Sequence, residues 1–171
     1  DRPAGQSPFL FERGQPGYYS FLRGPMDGSS RDELLYERAM DFIRNRSADD
    51  PPFFMFLATS FPHPTYHAPQ PWHDMYNPDD LPPLRPVRGE GAPDFHALIR
   101  RYRDIEHTDE AVLRKVMAVY LGMTSYVDYL LGGLMDALEE TGLVDDTAIV
   151  VFSDHGDWAG DYGLVEKWPS G

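Results

Sequence analysis

The stretch that decides the fold class is AIVVFSDHGD, residues 148–157. Its first five residues are all apolar, which is typical of a strand buried on both faces of a sheet, and the polar residues after them end the strand. A second apolar run, FFMFLA at residues 53–58, follows two prolines and has the same character. The sequence therefore predicts two core strands, over residues 53–59 and 147–153.

Two helices are predicted around these strands. The motif Ser30-Arg31-Asp32-Glu33 is a capping box, which starts a helix over residues 31–46 by satisfying free amides at its first turn. Apolar residues recur every three or four positions over residues 109–141, which predicts a second and longer helix. Because helices and non-alternating strands follow one another, we expect an α/β fold with a mainly parallel or mixed sheet flanked by helices.

A long segment, residues 61–106, separates the first strand from the second helix. Nine prolines lie between Phe61 and Arg103, and no helical or strand period is visible there. Connections of this length inside a domain are usually functional or disordered, and the many aromatic residues favour an ordered one, so we predict a Pro-rich active-site loop. We read Asp1 and Gly171 as cuts, and therefore expect a domain that is incomplete at both ends.

Composition excludes several classes of partner. The net charge of −13 argues against nucleic acid, because phosphate binding requires a basic surface. No apolar run reaches the roughly 18 residues of a membrane span, so we expect no membrane insertion. An acidic protein does not attract anions at long range, so any anion site must act locally through a metal ion and a few cations.

The residues after each predicted strand are the most chemically versatile in the chain. In α/β sheets, ligands bind beyond the carboxyl ends of the strands, where Asp154 and His155 follow one run and His63 the other. A carboxylate beside an imidazole suits Mn²⁺, Zn²⁺ or a Ca²⁺ site with further oxygen ligands. The residues alone leave a second interpretation open, in which Asp154 caps a helix and His155 lies at the surface.

Three blocks of sequence resemble the sulfatase family of the alkaline phosphatase superfamily. They are SDHGD with the later GDYGL and Lys167, the connection LEETGLVDDT at residues 138–147, and PFFMFL followed by Pro62-His63-Pro64 and Pro69. The blocks occur in order over residues 30–168. Many sulfatases carry Asn where this chain has His155, and the histidine resembles the choline-sulfatase and phosphonate-monoester-hydrolase branch.

The resemblance implies a role for four residues. Asp154 and His155 match ligands of a divalent metal ion, for which Ca²⁺ is the first expectation and Mn²⁺ or another ion the alternative. His63 matches a histidine that faces the sulfate or leaving-group oxygen, and Lys167 matches a lysine that binds a sulfate oxygen. Both are catalytic candidates, because an ammonium and a dication stabilise oxyanion charge and a histidine can deliver a proton near neutral pH.

The resemblance also implies a function, the metal-dependent cleavage of a small-molecule or glycan sulfate monoester by a sulfatase-type hydrolase. Residues 1–171 would form the C-terminal portion of its catalytic domain. The family's nucleophile is a formylglycine made from Cys or Ser in a C/S-x-P/A-x-R motif, which this sequence lacks. We expect the formylglycine in a missing N-terminal part, and we expect the fragment alone to be inactive.

Two alternatives remain open at this point. One is a phosphonate or phosphate ester hydrolase of the same superfamily, and the other is a non-catalytic metal-binding α/β domain. Among the other polar residues, Asp157 is predicted to serve a turn. The remaining histidines are predicted to lie at the surface: His67, His73, His96 and His107.

Overall fold

The computed structural model describes residues 21–47, 49–88, 90–103 and 105–167. Within these ranges the chain forms three α-helices: α1 (Arg31–Arg44), α2 (Asp94–Tyr102) and α3 (Glu110–Glu140). Short 3₁₀ turns lie at Trp72–Asp74, Pro78–Asp80, Val144–Asp146 and Asp161–Gly163. None of the helices in the described ranges combines the length and the apolar character that a membrane crossing requires.

Helix α1 begins at the predicted capping site. The hydroxyl of Ser30 accepts the amide N–H of Glu33 at 2.9 Å, which satisfies one free donor of the first turn. The neighbouring Asp32 is buried, and its carboxylate accepts the amides of Ser60 and Phe61, each at 2.7 Å. Asp32 therefore fixes the start of the loop that carries His63.

Helix α3 forms the centre of the molecule and packs in two directions. Its C-terminal half meets α1 in one apolar cluster, which includes Tyr36, Ile43, Tyr126, Leu130 and Leu138. Its N-terminal half lies under the loop that follows residue 61, in a second cluster of Phe21, Tyr66, Ala68, Ile105, Leu113, Val116, Val119, Met123 and Val165. Burying each large apolar side chain contributes about 1.5–3 kcal/mol, so the two clusters supply most of the driving force for folding.

A glycine allows the loop to approach α3 closely. A Cβ atom at Gly122 would lie 1.9 Å from the carbonyl oxygen of Trp72, far inside contact distance. The loop backbone at Trp72 therefore rests directly on the helix backbone at Gly122.

The predicted strands are not present in the described residues. Residues 53–59 and 147–153 have no assigned secondary structure, and the β pairing of the described part consists of two parallel bridges, Leu22–Tyr66 and Met26–Pro69. Phe54 is 93% exposed and Phe152 is 73% exposed, which contradicts the expected burial on both faces. The physical reason is that the backbone groups of these segments form no β bridge with another described segment.

The first of these segments nevertheless buries one face. Met55 and Leu57 pack against the α1–α3 cluster, while Phe54 and Phe56 between them are exposed. This alternation is the period of an extended backbone. The α/β sheet itself stays a prediction.

The Pro-rich loop is more structured than its sequence indicates. It contains α2 and two of the 3₁₀ turns, neither of which was predicted, and its residues Tyr66, Ala68 and His73 are buried. The surface assignment of His73 and His96 is therefore wrong. His73 lies where the loop packs on α3, and the His96 ring packs against the ring of Trp158. His107 is exposed, as predicted.

Candidate active site

His63 lies in the turn that Asp32 anchors. Its amide N–H donates to the carbonyl of Ser60 at 2.8 Å, and its exposed ring places Nδ1 2.6 Å from the carbonyl oxygen of Pro64. A carbonyl can only accept, so Nδ1 carries the proton and donates it there. The Nε2 atom is then the ring nitrogen available for chemistry.

Asp154 and His155 lie directly after the exposed segment 147–153. The His155 ring donates from Nδ1 to the carbonyl of Gly156 at 2.8 Å, which leaves the Nε2 lone pair free. This Nε2 lies 3.7 Å from Oδ2 of Asp154, and the two side chains are 27% and 85% exposed respectively. Asp154 is accordingly open to solvent, whereas His155 is held in place on one side.

The structure brings His63 to His155, although they are ninety-two positions apart in the sequence. Their ring centroids are 6.0 Å apart, and the ring planes cross at 73°. Direct contacts thus join His63, His155 and Asp154 into one group. In the described part of the chain, no recorded hydrogen bond or ion pair connects Lys167 with this group.

The geometry of Asp154 and His155 fits a shared metal ion. Ligand-to-ion distances are about 2.0–2.6 Å, so two ligand atoms 3.7 Å apart can contact the same ion. No group of three or more His, Asp or Glu side chains with metal-binding geometry occurs among the described residues. Asp154 and His155 could therefore supply two ligand atoms, and a metal site here would require further ligands.

Lys167 is half-buried and ends the last described segment. The preceding residue, Glu166, is buried and forms an ion pair with Arg103, whose side chain is also largely buried. The amide of Glu166 donates to the hydroxyl of Tyr66 at 2.8 Å. The backbone that leads into Lys167 is thus fixed to the loop that carries His63.

Asp157 contacts the loop that carries His63, which its sequence context does not indicate. Its Oδ1 accepts the hydroxyl of Tyr66 at 2.6 Å and the amide of Ala159 at 2.7 Å. The bond to the Ala159 amide confirms the predicted turn role, whereas no local sequence signal indicates the bond to Tyr66. Burial raises the pKa of the Asp157 carboxyl, and the two hydrogen bonds and the nearby histidines His155 and His63 oppose that rise.

Comparison with known proteins gives the same family as the motifs. The family model described as Sulfatase matches residues 5–168. The multifunctional alkaline phosphatase superfamily protein PehA of Trinickia caryophylli is 34% identical over 148 residues, which are 77% of this chain and 28% of that protein. The choline-sulfatase of Rhizobium meliloti is 31% identical over 152 residues, which are 79% of this chain and 29% of that protein.

A solved structure shares the fold. The phosphonate monoester hydrolase SpPMH from Silicibacter pomeroyi superposes with a TM-score of 0.60 at 26% identity, over 94% of this chain and 36% of that one. The chain thus spans less than a third of the curated relatives described above and about a third of the solved structure. This chain belongs to the sulfatase family, within the branch of the alkaline phosphatase superfamily whose members include choline-sulfatase and phosphonate monoester hydrolase.

Proposed function

We propose that this chain carries part of the active site of a sulfuric ester hydrolase that cleaves small-molecule or glycan sulfate monoesters. The observation that supports it best is the 6.0 Å approach of the His63 and His155 rings. It brings two motifs of the family together at one end of the molecule, with Asp154 beside them. Such convergence is what an oxyanion site requires, because its cations and proton donors must surround one small group.

Asp154 and His155 would hold the divalent metal ion, with Ca²⁺ as the first choice and Mn²⁺ as the alternative. The bond from His155 Nδ1 to Gly156 orients the ring and keeps the lone pair on Nε2, the atom that faces Asp154. When bound, the ion would stabilise negative charge on the non-bridging oxygens of the ester. Further oxygen ligands would complete the shell.

His63 would act on the leaving group. Because Nδ1 donates to Pro64, the second proton of the imidazolium resides on Nε2, from which it can be given to the departing oxygen. The exposed ring leaves this nitrogen accessible to a substrate. Lys167 would contribute its ammonium to a sulfate oxygen as a compact point charge.

The nucleophile would come from a part of the protein other than these 171 residues. In this family it is the formylglycine, and the chain has neither a Cys nor a Ser in the required motif. Uncatalysed ester cleavage is very slow, so the chain by itself should not turn over a sulfate ester.

A second candidate function is the hydrolysis of phosphonate or phosphate esters. The structural likeness to a phosphonate monoester hydrolase and the identity to a multifunctional relative both favour it. A metal ion, an ammonium and a histidine also suit either tetrahedral oxyanion. The choice between the two is therefore a matter of relative kcat/KM.

The test uses the full-length protein with an aryl sulfate and an aryl phosphonate monoester, and it measures kcat, KM and bound metal. His63→Ala should lower kcat about 10²-fold or more while metal content is unchanged, because general acid catalysis contributes about 10²–10⁴-fold. Asp154→Ala should lose the metal itself. The exposed His107→Ala is the matched control and should behave like the wild type.

The contrary outcomes are equally specific. Wild-type kcat in His63→Ala, or full metal content in Asp154→Ala, would refute these roles. A larger kcat/KM for the phosphonate ester would replace the sulfatase proposal with its alternative.

A further inference from the structure

One buried hydroxyl group, that of Tyr66, connects the chain segments that carry all four candidate site residues. The Tyr66 ring is 0% exposed and packs in the cluster under the N-terminal half of α3. The residue lies three positions after His63, so its ring anchors the His63 loop in the core. Its hydroxyl contacts two segments that follow residue 153.

The hydroxyl makes one hydrogen bond to each of these segments. It donates to Oδ1 of Asp157 at 2.6 Å, and Asp157 lies two positions after His155. It accepts the amide N–H of Glu166 at 2.8 Å, and Glu166 immediately precedes Lys167. A single oxygen atom thus links the segment after Asp154 and His155 and the segment that leads into Lys167 to the loop that carries His63.

Both partners of Tyr66 are themselves held. Asp157 Oδ1 accepts the amide of Ala159 at 2.7 Å, which closes the turn after the metal-ligand loop. The Glu166 carboxylate is buried against the Arg103 guanidinium. Loss of a buried hydrogen-bond partner costs about 1–3 kcal/mol, so these contacts oppose a displacement of either segment.

We propose that Tyr66 and Asp157 are positioning residues that set the spacing between the leaving-group histidine and the metal ligands. The kinetic part of this inference rests on the proposed function, whereas its structural part does not. The physical argument is that a displacement of about 1 Å between catalytic groups can cost about 10²-fold in rate. The direct contact between His63 and His155 is a ring contact with centroids 6.0 Å apart. The spacing of the two rings therefore depends on the hydrogen bonds that hold their two chain segments together.

Tyr66→Phe in the full-length protein is the direct test, since it retains the ring and removes only the hydroxyl. We expect kcat to fall at least tenfold with a smaller change in KM. We also expect amide hydrogen exchange to accelerate across residues 154–167. Both are measured at a temperature well below the unfolding midpoint of the variant.

Tyr126→Phe is the matched control. Its hydroxyl is also buried and lies 2.8 Å from the hydroxyl of Ser30, so it joins the start of α1 to α3 and, within the described ranges, bonds to neither the segment after His155 nor the one before Lys167. It should lose a similar amount of stability, with wild-type kcat and wild-type exchange across residues 154–167. If the two variants have the same effect on kcat and exchange, Tyr66 is merely structural and the proposal is overturned.

Two variants of Asp157 distinguish a positioning role of its side chain from an effect of its negative charge. Asp157→Asn keeps an oxygen that can accept from Tyr66 and Ala159, so it should retain most of the activity and the slow exchange. Asp157→Ala should resemble Tyr66→Phe. Equal losses in Asn and Ala would mean that the negative charge matters and would overturn the positioning role.

The hydrogen-exchange measurement keeps this inference separate from the proposed function. If the wild-type protein hydrolyses neither ester, the proposed function fails, and exchange across residues 154–167 still decides whether Tyr66 holds the two segments. If the wild type is active and Tyr66→Phe leaves kcat and exchange unchanged, the proposed function survives and the positioning role is overturned.

Discussion

The loop over residues 61–76 is polar and rich in proline yet packs into the core, whereas the apolar segments 53–59 and 147–153 stay largely exposed. Tyr66 and Ala68 of the loop are completely buried, and Phe54 is almost completely open to solvent. Burial therefore follows the surface that a segment meets rather than the segment's own hydrophobicity. The loop meets the N-terminal half of α3, whereas segment 53–59 meets only the edge of one cluster.

The loop gains its position from two further contacts. Asp32 binds its first amides, and Gly122 permits the backbone of Trp72 to rest on α3. The segment 53–59 has packing on one side only, through Met55 and Leu57. Its backbone donors and acceptors face no neighbouring strand among the described residues.

Truncation of one side chain that packs beneath the loop and of one in segment 53–59 should show the contrast in burial most strongly. In the 171-residue chain, Met123→Ala removes a fully buried side chain beneath the loop and should cost about 2–5 kcal/mol of unfolding free energy. Phe54→Ala should change it by less than about 0.5 kcal/mol, because the ring is exposed. Urea titration measures both, and a comparable cost at the two positions would break the comparison.

Two glycines of α3, Gly122 and Gly132, test how closely the loop backbone approaches this helix. Gly122→Ala would place a methyl group against the Trp72 carbonyl, and such overpacking costs about 1–3 kcal/mol. Gly132 lies on the same helix with open space around its Cβ position, so Gly132→Ala should stabilise the protein by about 0.5–1 kcal/mol. Thermal unfolding of the two variants should therefore shift in opposite directions, and a stabilising Gly122→Ala would contradict the packing.

Local signals made α1 and α3 predictable. The capping hydroxyl of Ser30 places the first turn of α1, and the apolar period of α3 extends along the observed helix with end points that differ by one residue. Helix α2 was not predicted, because it is only nine residues long and follows a run of prolines. The apolar runs at residues 53–59 and 147–153 contain no information on whether a partner strand is present.

The candidate site was predictable only in part. The family motifs indicate His63, Asp154 and His155, and the structure places these three residues together. The Tyr66–Asp157 hydrogen bond spans ninety-one positions and joins two common residue types, so no spacing rule could reveal it. The burial of His73 and His96 likewise depends on contacts that are distant in sequence, with α3 for His73 and with Trp158 for His96.

The most direct test of the central claim is to locate the metal ion by anomalous diffraction from crystals of the full-length protein grown with Mn²⁺. We predict an ion about 2.0–2.6 Å from both the Asp154 carboxylate and His155 Nε2, with the His63 ring on the same side. An ion bound entirely by other residues, or a His63 ring on the opposite side of the molecule from Asp154, would contradict the assignment of this site.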